Sequence, residues 1–232
     1  MTVFDRLSRL TTPHLADACL RIGLGVRIGP SGLAPVIPGT RLAGRALPVR
    51  HAGSVDVYLE ALERVEPGDV LVVDNGGRLD EACVGDLVAL EVQLAGVSGI
   101  LIWGLHRDTA DIQRIGLPVF SLGASPTGPL SVQPREPDAL ELAHLGEVVV
   151  SRHDVVVADE DGALVIVHDR LPEVVAVAEG IRDTERAQAE QISSGRSLRE
   201  QVRFRDYLAA RASDPALTFR DHLRQVGGEI EV

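Results

Sequence analysis

An arginine and an aspartate, Arg107 and Asp108, stand side by side where an apolar run ends and the chain must turn. The planar guanidinium of an arginine matches a carboxylate ligand, because it presents parallel N–H donors. An aspartate in such a turn can bind a divalent cation, with water or substrate at the remaining positions. His106 precedes the pair and is a candidate base, since histidine titrates near neutral pH. This triplet therefore predicts a site for a small acid and a metal ion.

Two predicted strands place this triplet beside a second acidic loop. The apolar runs 70–74 and 99–103 alternate with helical patterns, so their carboxyl ends would lie close together if the strands are neighbours. Ligands of open α/β sheets bind at such strand ends. The loop after the first run leads to Gly85 and Asp86, where glycine allows close backbone approach. The amides from Gly85 to Leu87 are predicted to form an anion-binding nest. Together these parts could hold a small keto acid.

Each residue of the triplet also has a structural interpretation. Asp108 could cap the helix that is predicted directly after it, since aspartate is a favoured N-cap residue. Arg107 could be a surface cation, and His106 could be an exposed loop histidine. The residues alone leave these alternatives open.

Other residues at strand ends are predicted to have structural roles. Asp69, Asp74 and Asp159 each lie at a strand or turn end, where a solvated turn residue is more common than a catalytic one. Core packing is the better interpretation of Trp103.

Composition argues against several classes of partner. The formal net charge is −11 and aromatic residues make up 3% of the chain, whereas nucleic acid favours basic surfaces and stacking side chains. The same charge disfavours an anionic membrane surface. No apolar stretch approaches the roughly 18 residues of a spanning helix, and the N-terminus lacks a signal-peptide pattern, so a cytoplasmic location is predicted. Cys19 and Cys83 have no metal or redox spacing and are predicted to be buried.

The absence of lysine limits the carbonyl chemistry of this sequence. All 23 basic residues are arginines. A lysine imine, a lysine-bound pyridoxal phosphate and a phosphate-loop lysine are therefore excluded for these residues. A metal ion is the obvious alternative electrophile.

The remaining pattern predicts alternating helices and strands. One helix is predicted to begin at Thr12, as its cap, and to end at Gly23, and another is predicted to begin after Ser54 as its cap. Residues 75–86 read as a glycine-containing loop or a broken helix. Further predicted elements are helices at 87–96, directly after 108, and at 171–194, strands at 117–122 and three times within 147–167, and one or two helices from 196 onwards.

Several segments carry a resemblance to a known family. They are TTPHLADACLRIG, PGDVLVVD, GVSGILIWGLHRD, IGLPVFSLG, DVVVADEDGALVIV and ISSGRSL, and twenty residues, 87 to 106, separate Asp86 from Arg107. On these segments the chain resembles the RraA-like family. This family includes 4-hydroxy-4-methyl-2-oxoglutarate/4-carboxy-4-hydroxy-2-oxoadipate aldolases and the regulator of ribonuclease E activity A. Its aldolases have an Asp, then twenty residues, then Arg-Asp. The resemblance covers residues 11–198.

The resemblance implies a fold, a domain division and an assembly. The fold would be α/β, a β-rich sandwich of the type of swivelling phosphohistidine domains. Residues 1–198 would form one RraA-like domain, and 199–232 a C-terminal helical extension. The family assembles as homotrimers or homohexamers with sites between subunits. Its aldolases take a glutamate from the C-terminal helix of the neighbouring subunit, for which Glu185 is the first candidate here and Glu190 the second.

The resemblance also implies roles for the site residues. Asp108 would ligate Mg²⁺ or Mn²⁺, and Asp86 would hold a metal-bound water. Arg107 would contact the carboxylate and the keto oxygen of the substrate, next to the backbone of Gly85 and Leu87. Either the water held by Asp86 or His106 would act as the base.

Two segments depart from the family pattern. The family usually has Asp-Gly where this chain has Trp103-Gly104, and Pro-Gly-Asp where this chain has Arg152-His153-Asp154. Neither departure removes a predicted ligand. Trp103 and His106 could reshape the pocket, so they bear on the identity of the substrate.

The predicted function is that of a divalent-metal-dependent lyase. It would cleave a small 2-keto acid by retro-aldol chemistry, or decarboxylate it, and give pyruvate through an enolate whose charge the metal ion and Arg107 stabilise. The alternative is a non-catalytic regulator of RraA type that binds a ribonuclease or a helicase. A third possibility is a related lyase or dehydratase with a pocket set by Trp103. The retained Asp86 favours the enzyme, because a pure binding protein has no need of a carboxylate for a metal-bound water.

Overall fold

A mixed eight-stranded sheet, curled into a half-barrel, forms the centre of an α/β fold. The computed structural model describes residues 2–227. Over these residues the strands are β1 (Arg27–Ile28), β2 (Ala34–Pro35), β3 (Leu42–Arg50), β4 (Val70–Asp74), β5 (Ala82–Val84), β6 (Gly99–Trp103), β7 (Leu105–His106), β8 (Val119–Ser121), β9 (Leu142–Leu145), β10 (Val148–Ser151), β11 (Asp154–Asp159) and β12 (Gly162–Val167). The helices are α1 (Val3–Leu7), α2 (Thr12–Arg21), α3 (Asp56–Leu62), α4 (Asp86–Leu94), α5 (Thr109–Ile115), α6 (Leu171–Ser193), α7 (Leu198–Gln201), α8 (Phe204–Ser213) and α9 (Phe219–Val226).

The centre of the sheet is parallel and its edges are antiparallel. The strand order is β1-β12-β11-β3-β4-β6-β8-β2, and β3, β4, β6 and β8 run parallel. The helices α3, α4 and α5 connect these four strands in turn, as parallel neighbours require. β4 and β6 are therefore neighbours, with Asp74 opposite Trp103, as the predicted site requires. Two small ladders, β9–β10 and β5–β7, complete the β structure of the described residues.

Both faces of the central strands are covered. Leu71 and Val73 of β4 pack with α3, α4 and α5 on one face, and Val70 and Val72 pack with the β9–β10 hairpin on the other. This two-sided burial explains why β4 is a continuous apolar run instead of an alternating one. A third cluster joins α1, α2 and α6 to β11 and β12.

The cap of α2 is Thr11 and not the predicted Thr12. The side chain of Thr11 accepts a hydrogen bond from a helix amide. The hydroxyl of Thr12 instead donates to Asp159 Oδ1 at 2.6 Å. The buried carboxylate of Asp159 is the stronger acceptor and binds Thr12 as the first residue of the helix.

Three shorter features also differ from the expectation. The N-cap of α3 is Val55, without a side-chain capping bond, and not the predicted Ser54. The predicted loop at 75–86 contains β5, and β9 lies where no strand was expected. These strands are three and four residues long, and such short strands depend on a tertiary partner more than on local pattern.

Up to residue 227 the tail contains three helices, where one or two were predicted from 196 onwards. Phe204, Tyr207 and Phe219 of α8 and α9 form an aromatic cluster with ring centroids 5.0 to 5.7 Å apart. His222 is buried beside it, with Nε2 2.8 Å from the carbonyl oxygen of Val202. Residues 228–232 of the predicted extension lie outside the described residues, and its boundary at 198 stays a prediction. Within residues 2–227 no helix has both the length and the hydrophobicity of a membrane span.

Candidate active site

A short parallel ladder brings the two predicted loops together. β5 pairs with β7 so that Val84 lies opposite His106, and the amide of Arg107 donates to the carbonyl oxygen of Val84 at 2.9 Å. β5 runs into Gly85 and α4, whereas β7 runs into Arg107 and Asp108. The ladder therefore places Gly85 against the Arg-Asp pair.

Both charged side chains of the pair lie close to the position that a side chain on Gly85 would occupy. A Cβ built on Gly85 would fall 2.5 Å from Asp108 Oδ2 and 3.1 Å from Arg107 Nε. Those two side-chain atoms are themselves 3.3 Å apart. A 2.5 Å contact is too short for any real Cβ. Only a glycine at position 85 therefore lets the backbone come this close to Arg107 and Asp108.

Asp108 occupies the N-cap position of α5 without capping the helix. Its backbone is left-handed, with φ 58° and ψ 41°, and its side chain makes no capping hydrogen bond. The capping interpretation is therefore wrong, since an N-cap residue needs an extended backbone to direct its side chain at the helix amides. A non-glycine residue in this conformation carries a cost in free energy. The side chain of Asp108 is 36% exposed, so its carboxylate is accessible to a ligand.

Asp86 is the first residue of α4, and its carboxylate turns back on its own helix. The amide of Leu87 donates to Asp86 Oδ1 at 2.8 Å. Gly85 is extended, with φ −128° and ψ −170°, whereas a nest needs alternating right- and left-handed residues. The nest predicted over Gly85 to Leu87 is therefore wrong, and the donors at this position are those of a helix N-terminus.

His106 is buried beneath the pair with both ring nitrogens engaged. Nδ1 lies 2.7 Å from Ser121 Oγ on β8, and Nε2 lies 2.9 Å from Thr109 Oγ1 on α5. Burial lowers the pKa of His106 below its usual value. The exposed-loop interpretation is therefore wrong. The imidazole joins β8 and α5 to the turn that carries Arg107 and Asp108.

A segment that sequence reasoning did not single out covers Arg107. Residues 123–137, which are rich in proline and glycine, lie between β8 and β9, and a Cβ on Gly128 would fall 2.7 Å from Arg107 Nη1. Gly128 therefore lets this loop lie directly on the guanidinium, whose side chain is 49% exposed. The only sequence signal for this contact was the glycine content of the loop. Tertiary packing decides which side chain a loop covers, and the local sequence pattern does not show it.

Residues 12–165 match a family model described as Aldolase/RraA, of the RraA-like family. The chain belongs to the RraA-like family. A protein of Methanocaldococcus jannaschii is 32% identical over 198 residues, which cover 84% of this chain and 90% of that protein. Protein DlpA of Legionella pneumophila is 30% identical over 81% of this chain, but the chain spans only 30% of the length of DlpA. A Deinococcus radiodurans protein named "Putative 4-hydroxy-4-methyl-2-oxoglutarate aldolase" is 34% identical over 55% of this chain and 78% of its own length.

Solved structures give the same family. The Streptomyces coelicolor protein RraAS2, described as an unusual member of the RNase ES inhibitor RraA family, superimposes with a TM-score of 0.69 at 26% identity and covers 81% of this chain and 96% of its own. A Pseudomonas syringae protein superimposes with a TM-score of 0.72 at 28% identity, covering 85% of this chain and 95% of its own. The fold class is therefore confirmed.

The two glutamates considered for this RraA-like chain lie on α6. Glu185 Oε2 is 3.1 Å from His14 Nε2 on α2, and Glu190 is exposed. α6 packs on α2 and on the antiparallel part of the sheet. Within one chain neither glutamate therefore joins the Arg-Asp pair, and a contribution from a neighbouring subunit stays a prediction.

The donor set of this RraA-like site fits a magnesium ion that keeps most of its water. Within residues 2–227 no group of three or more His, Cys, Asp or Glu side chains could hold a metal. Mg²⁺ is commonly bound through one or two carboxylates, with water and substrate oxygens filling the octahedron. Asp108, with its accessible carboxylate, and Asp86, at the adjoining helix start, can supply that small set. Zinc with four protein ligands does not fit.

The three strand-end aspartates are buried instead of solvated. Asp69, Asp74 and Asp159 are 1%, 4% and 6% exposed. Asp69 accepts from the amide of Glu66, and Asp74 accepts from both the amide and Nδ1 of His144. Their predicted structural role holds, but the prediction of solvation is wrong because each carboxylate finds several donors inside the protein.

Proposed function

We propose that this RraA-like protein is a divalent-metal-dependent lyase that acts on small 2-keto acids and releases pyruvate. The observation that carries the proposal is the convergence of Gly85, Arg107 and Asp108, where a Cβ on the glycine would fall 2.5 Å from Asp108 Oδ2 and 3.1 Å from Arg107 Nε. The 34% identity to a protein named as an aldolase supports the reaction class.

Asp108 would hold the cation directly, and Asp86 would hold it through water. Bound there, Mg²⁺ or Mn²⁺ would supply the electrophile that this lysine-free chain lacks. Arg107 would bind the carboxylate and the keto oxygen of the substrate through its planar donors. Its charge would also stabilise the negative charge that develops on the keto oxygen in the transition state.

Carbon–carbon cleavage then requires one proton transfer. The hydroxyl on C4 loses its proton, the C3–C4 electron pair moves to form an enolate, and C4 leaves as a carbonyl group. For a C4 carboxylate, CO₂ leaves and the same enolate results, which becomes pyruvate when C3 is protonated. We assign the base to a water held by Asp86. His106 would act as a positioning residue, since both its nitrogens are engaged.

The test is pyruvate release from 4-hydroxy-4-methyl-2-oxoglutarate and from oxaloacetate, with Mg²⁺ and with a chelator. We expect metal-dependent release that Arg107→Ala abolishes and that Arg114→Ala, an exposed arginine on α5, leaves unchanged. Release that proceeds equally well with chelator, or in Arg107→Ala, would contradict the proposal. The substrate itself is best identified by a screen of 2-keto acids and their aldol adducts, because Trp103 departs from the family pattern.

We further propose assembly as a homotrimer or a homohexamer. Leu87, Leu90 and Leu94 of α4 are 75%, 46% and 83% exposed, and their spacing places them on one helix face. Exposed apolar patches of this kind mark interaction surfaces, and this one begins beside Asp86. Light scattering should show the oligomer for wild type and for Leu20→Glu, and smaller species for Leu94→Glu. A monomeric wild type would remove the proposed role of Glu185 or Glu190 of a neighbour.

A regulator that binds a ribonuclease or a helicase is the second candidate. The specific support is the superposition on RraAS2, whose description names an RNase ES inhibitor family. Capture of a purified ribonuclease by a protein without lyase activity would favour this candidate. A cytoplasmic location is part of either proposal.

A further inference from the structure

A polar cavity lies at the carboxyl ends of β3 and β4, apart from the Arg-Asp pair. It has a volume of about 290 Å³, and its lining includes Arg50, His51, Asn75 and Arg78. The loop that covers Arg107 also reaches this cavity, where the backbone of Ser131 lies against Gly53. Neither Arg107 nor Asp108 lines it.

Three of the lining side chains carry buried nitrogens without hydrogen-bond partners. They are Arg50 Nε, His51 Nε2 and Asn75 Nδ2. Within the described residues just one more buried side-chain atom, Arg152 Nη1, has no partner. Buried polar atoms are nearly always paired in folded proteins, so these three nitrogens are the groups around the cavity with which a bound polar molecule could pair.

The His51–Asn75 pair offers one donor and one acceptor however its protons are assigned. His51 Nδ1 and Asn75 Oδ1 are 2.8 Å apart. If His51 donates in this bond, Asn75 keeps an N–H donor and His51 Nε2 keeps a lone pair. If the Asn75 amide is turned over, His51 Nε2 carries the donor and Asn75 keeps the acceptor. Arg50 Nε, which lies 3.6 Å from Asp74 Oδ2, adds a further donor, so a molecule that pairs with all three side chains must both accept and donate.

The charges around the cavity disfavour a free anion. Two arginines and three carboxylates line it, the latter being Asp74, Glu81 and Glu136. Arg78 is bound to Asp80 and Glu81, and Arg50 is bound to Asp138. The cations are therefore already neutralised. His51 adds no charge, because burial lowers its pKa.

We propose that this cavity binds a small neutral polyol with neighbouring hydroxyl groups. Each hydroxyl both donates and accepts, which matches the mixed set of groups that His51, Asn75 and Arg50 present. A carboxylate would satisfy the donors but leave the acceptor unpaired. The volume suits a molecule of the size of a four- or five-carbon polyol, at the lower end of ligand pockets.

Binding can be followed through the single tryptophan of the full-length protein. Trp103 packs against Gly77, next to Gly76 in the cavity wall, and it gives one indole N–H signal in an NMR spectrum. We would titrate erythritol, and compare it with butane-1,4-diol, which lacks the neighbouring hydroxyls, and with D-glycerate, which is an anion. The proposal expects a saturable shift for erythritol and at least about tenfold weaker binding of the other two.

Variants assign the binding to this cavity. His51→Phe keeps a ring beside Tyr58, with which His51 stacks at 5.4 Å, but removes both nitrogens. Arg50→Lys keeps the charge opposite Asp138 but removes Nε. Both should weaken erythritol binding at least about tenfold, whereas His153→Phe, on an exposed turn, should not. Retained affinity in Arg50→Lys and His51→Phe, equal binding of butane-1,4-diol, tighter binding of glycerate, or no saturable shift in wild type would each overturn the proposal.

Discussion

Two aspartates that follow strands of the same protein have opposite surroundings. Asp159, at the end of β11, is buried and accepts hydrogen bonds from the amide and the hydroxyl of Thr12 at 2.8 and 2.6 Å, and from the amide of Asp161 at 3.1 Å. Asp108, after β7, is 36% exposed and pairs with Arg107 at 3.3 Å. It occupies the N-cap position of α5, but its side chain makes no capping hydrogen bond.

If Asp108 binds a cation as proposed, carboxylate saturation separates its role from the structural role of Asp159. A carboxylate that accepts three hydrogen bonds from protein donors, out of about four that it can accept, stabilises the fold and has little capacity left for a cation. Asp74, with three bonds from His144 and Gly76, belongs to the same class as Asp159. Asp108 keeps its capacity, and its backbone holds a conformation that costs free energy.

The largest effect is expected from removing the charge of the unsaturated carboxylate. Asp108→Asn should lower pyruvate release about 100- to 1,000-fold, because the metal ion loses its direct ligand. The free energy of unfolding should change by less than about 0.5 kcal/mol. Steady-state kinetics and urea unfolding measure the two quantities. Asp111→Asn, on the same helix, should retain activity, and an Asp108→Asn enzyme of normal activity would erase the distinction between the two aspartates.

Removing the carboxylate of Asp159 should have the opposite effect, with a loss of stability and little change in activity. Asp159→Ala leaves the amide and hydroxyl of Thr12 without their buried acceptor, and should lower the free energy of unfolding by about 2 to 3 kcal/mol. Activity per folded molecule should stay near wild type. Asp161→Ala is the matched control, since its side chain is exposed and its amide remains. Equal stability of the two variants in urea unfolding would show that Asp159 does not stabilise the fold.

A smaller effect is expected from adding one methyl group at the site. The Cβ of Gly85→Ala would fall 2.5 Å from Asp108 Oδ2, so Asp108 or Arg107 must move. We expect kcat/KM for pyruvate release to fall about 10- to 100-fold. Gly25→Ala, where no atom lies within 4 Å of the built Cβ, should be neutral. Unchanged kinetics in Gly85→Ala would place the reaction elsewhere.

The smallest effect concerns pH. Burial lowers the pKa of His106 below its ordinary value of 6.5, so just below pH 6.5 the unfolded chain binds more protons at this residue than the folded chain does. The contribution of neutral His106 to the free energy of unfolding is complete above pH 6.5 and is lost as the pH falls through the pKa of His106 in the folded protein. Urea unfolding between pH 5 and 8 should show this loss. The free energy of unfolding should depend less steeply on pH in His106→Gln, and as steeply as in wild type in His153→Gln. His51 titrates in the same sense, so the slope should not vanish.

Strand neighbours and the meeting of Gly85 with the Arg-Asp pair could be predicted from the sequence. The run 70–74 and the run 99–103 flank one helix, and consecutive strands of this kind are usually neighbours in the sheet. The spacing between Asp86 and Arg107 carried the family resemblance. These features depend on residues that are near one another in the chain, so they can be inferred from the sequence.

The surroundings of single side chains could not be predicted. Asp108, Asp159 and Asp74 all follow β strands, and only tertiary contacts decide which carboxylate is filled. His106 read as a loop residue, but Ser121 and Thr109 come from other elements and bury it. The contact of Gly128 with Arg107 arises in the same way. The hydrophobic pattern of a sequence predicts the average burial of a segment. It does not predict the hydrogen-bond partners of a single polar atom.

Calorimetry of pyruvate binding tests the central claim most directly. Wild-type protein should bind pyruvate when Mg²⁺ is present and should not bind it when the metal is chelated. Asp108→Asn should fail to bind in both conditions, while Asp111→Asn should behave as wild type. Pyruvate binding of equal strength with and without Mg²⁺, or in Asp108→Asn, would contradict the account of Asp108 and Arg107 as a metal-dependent keto-acid site.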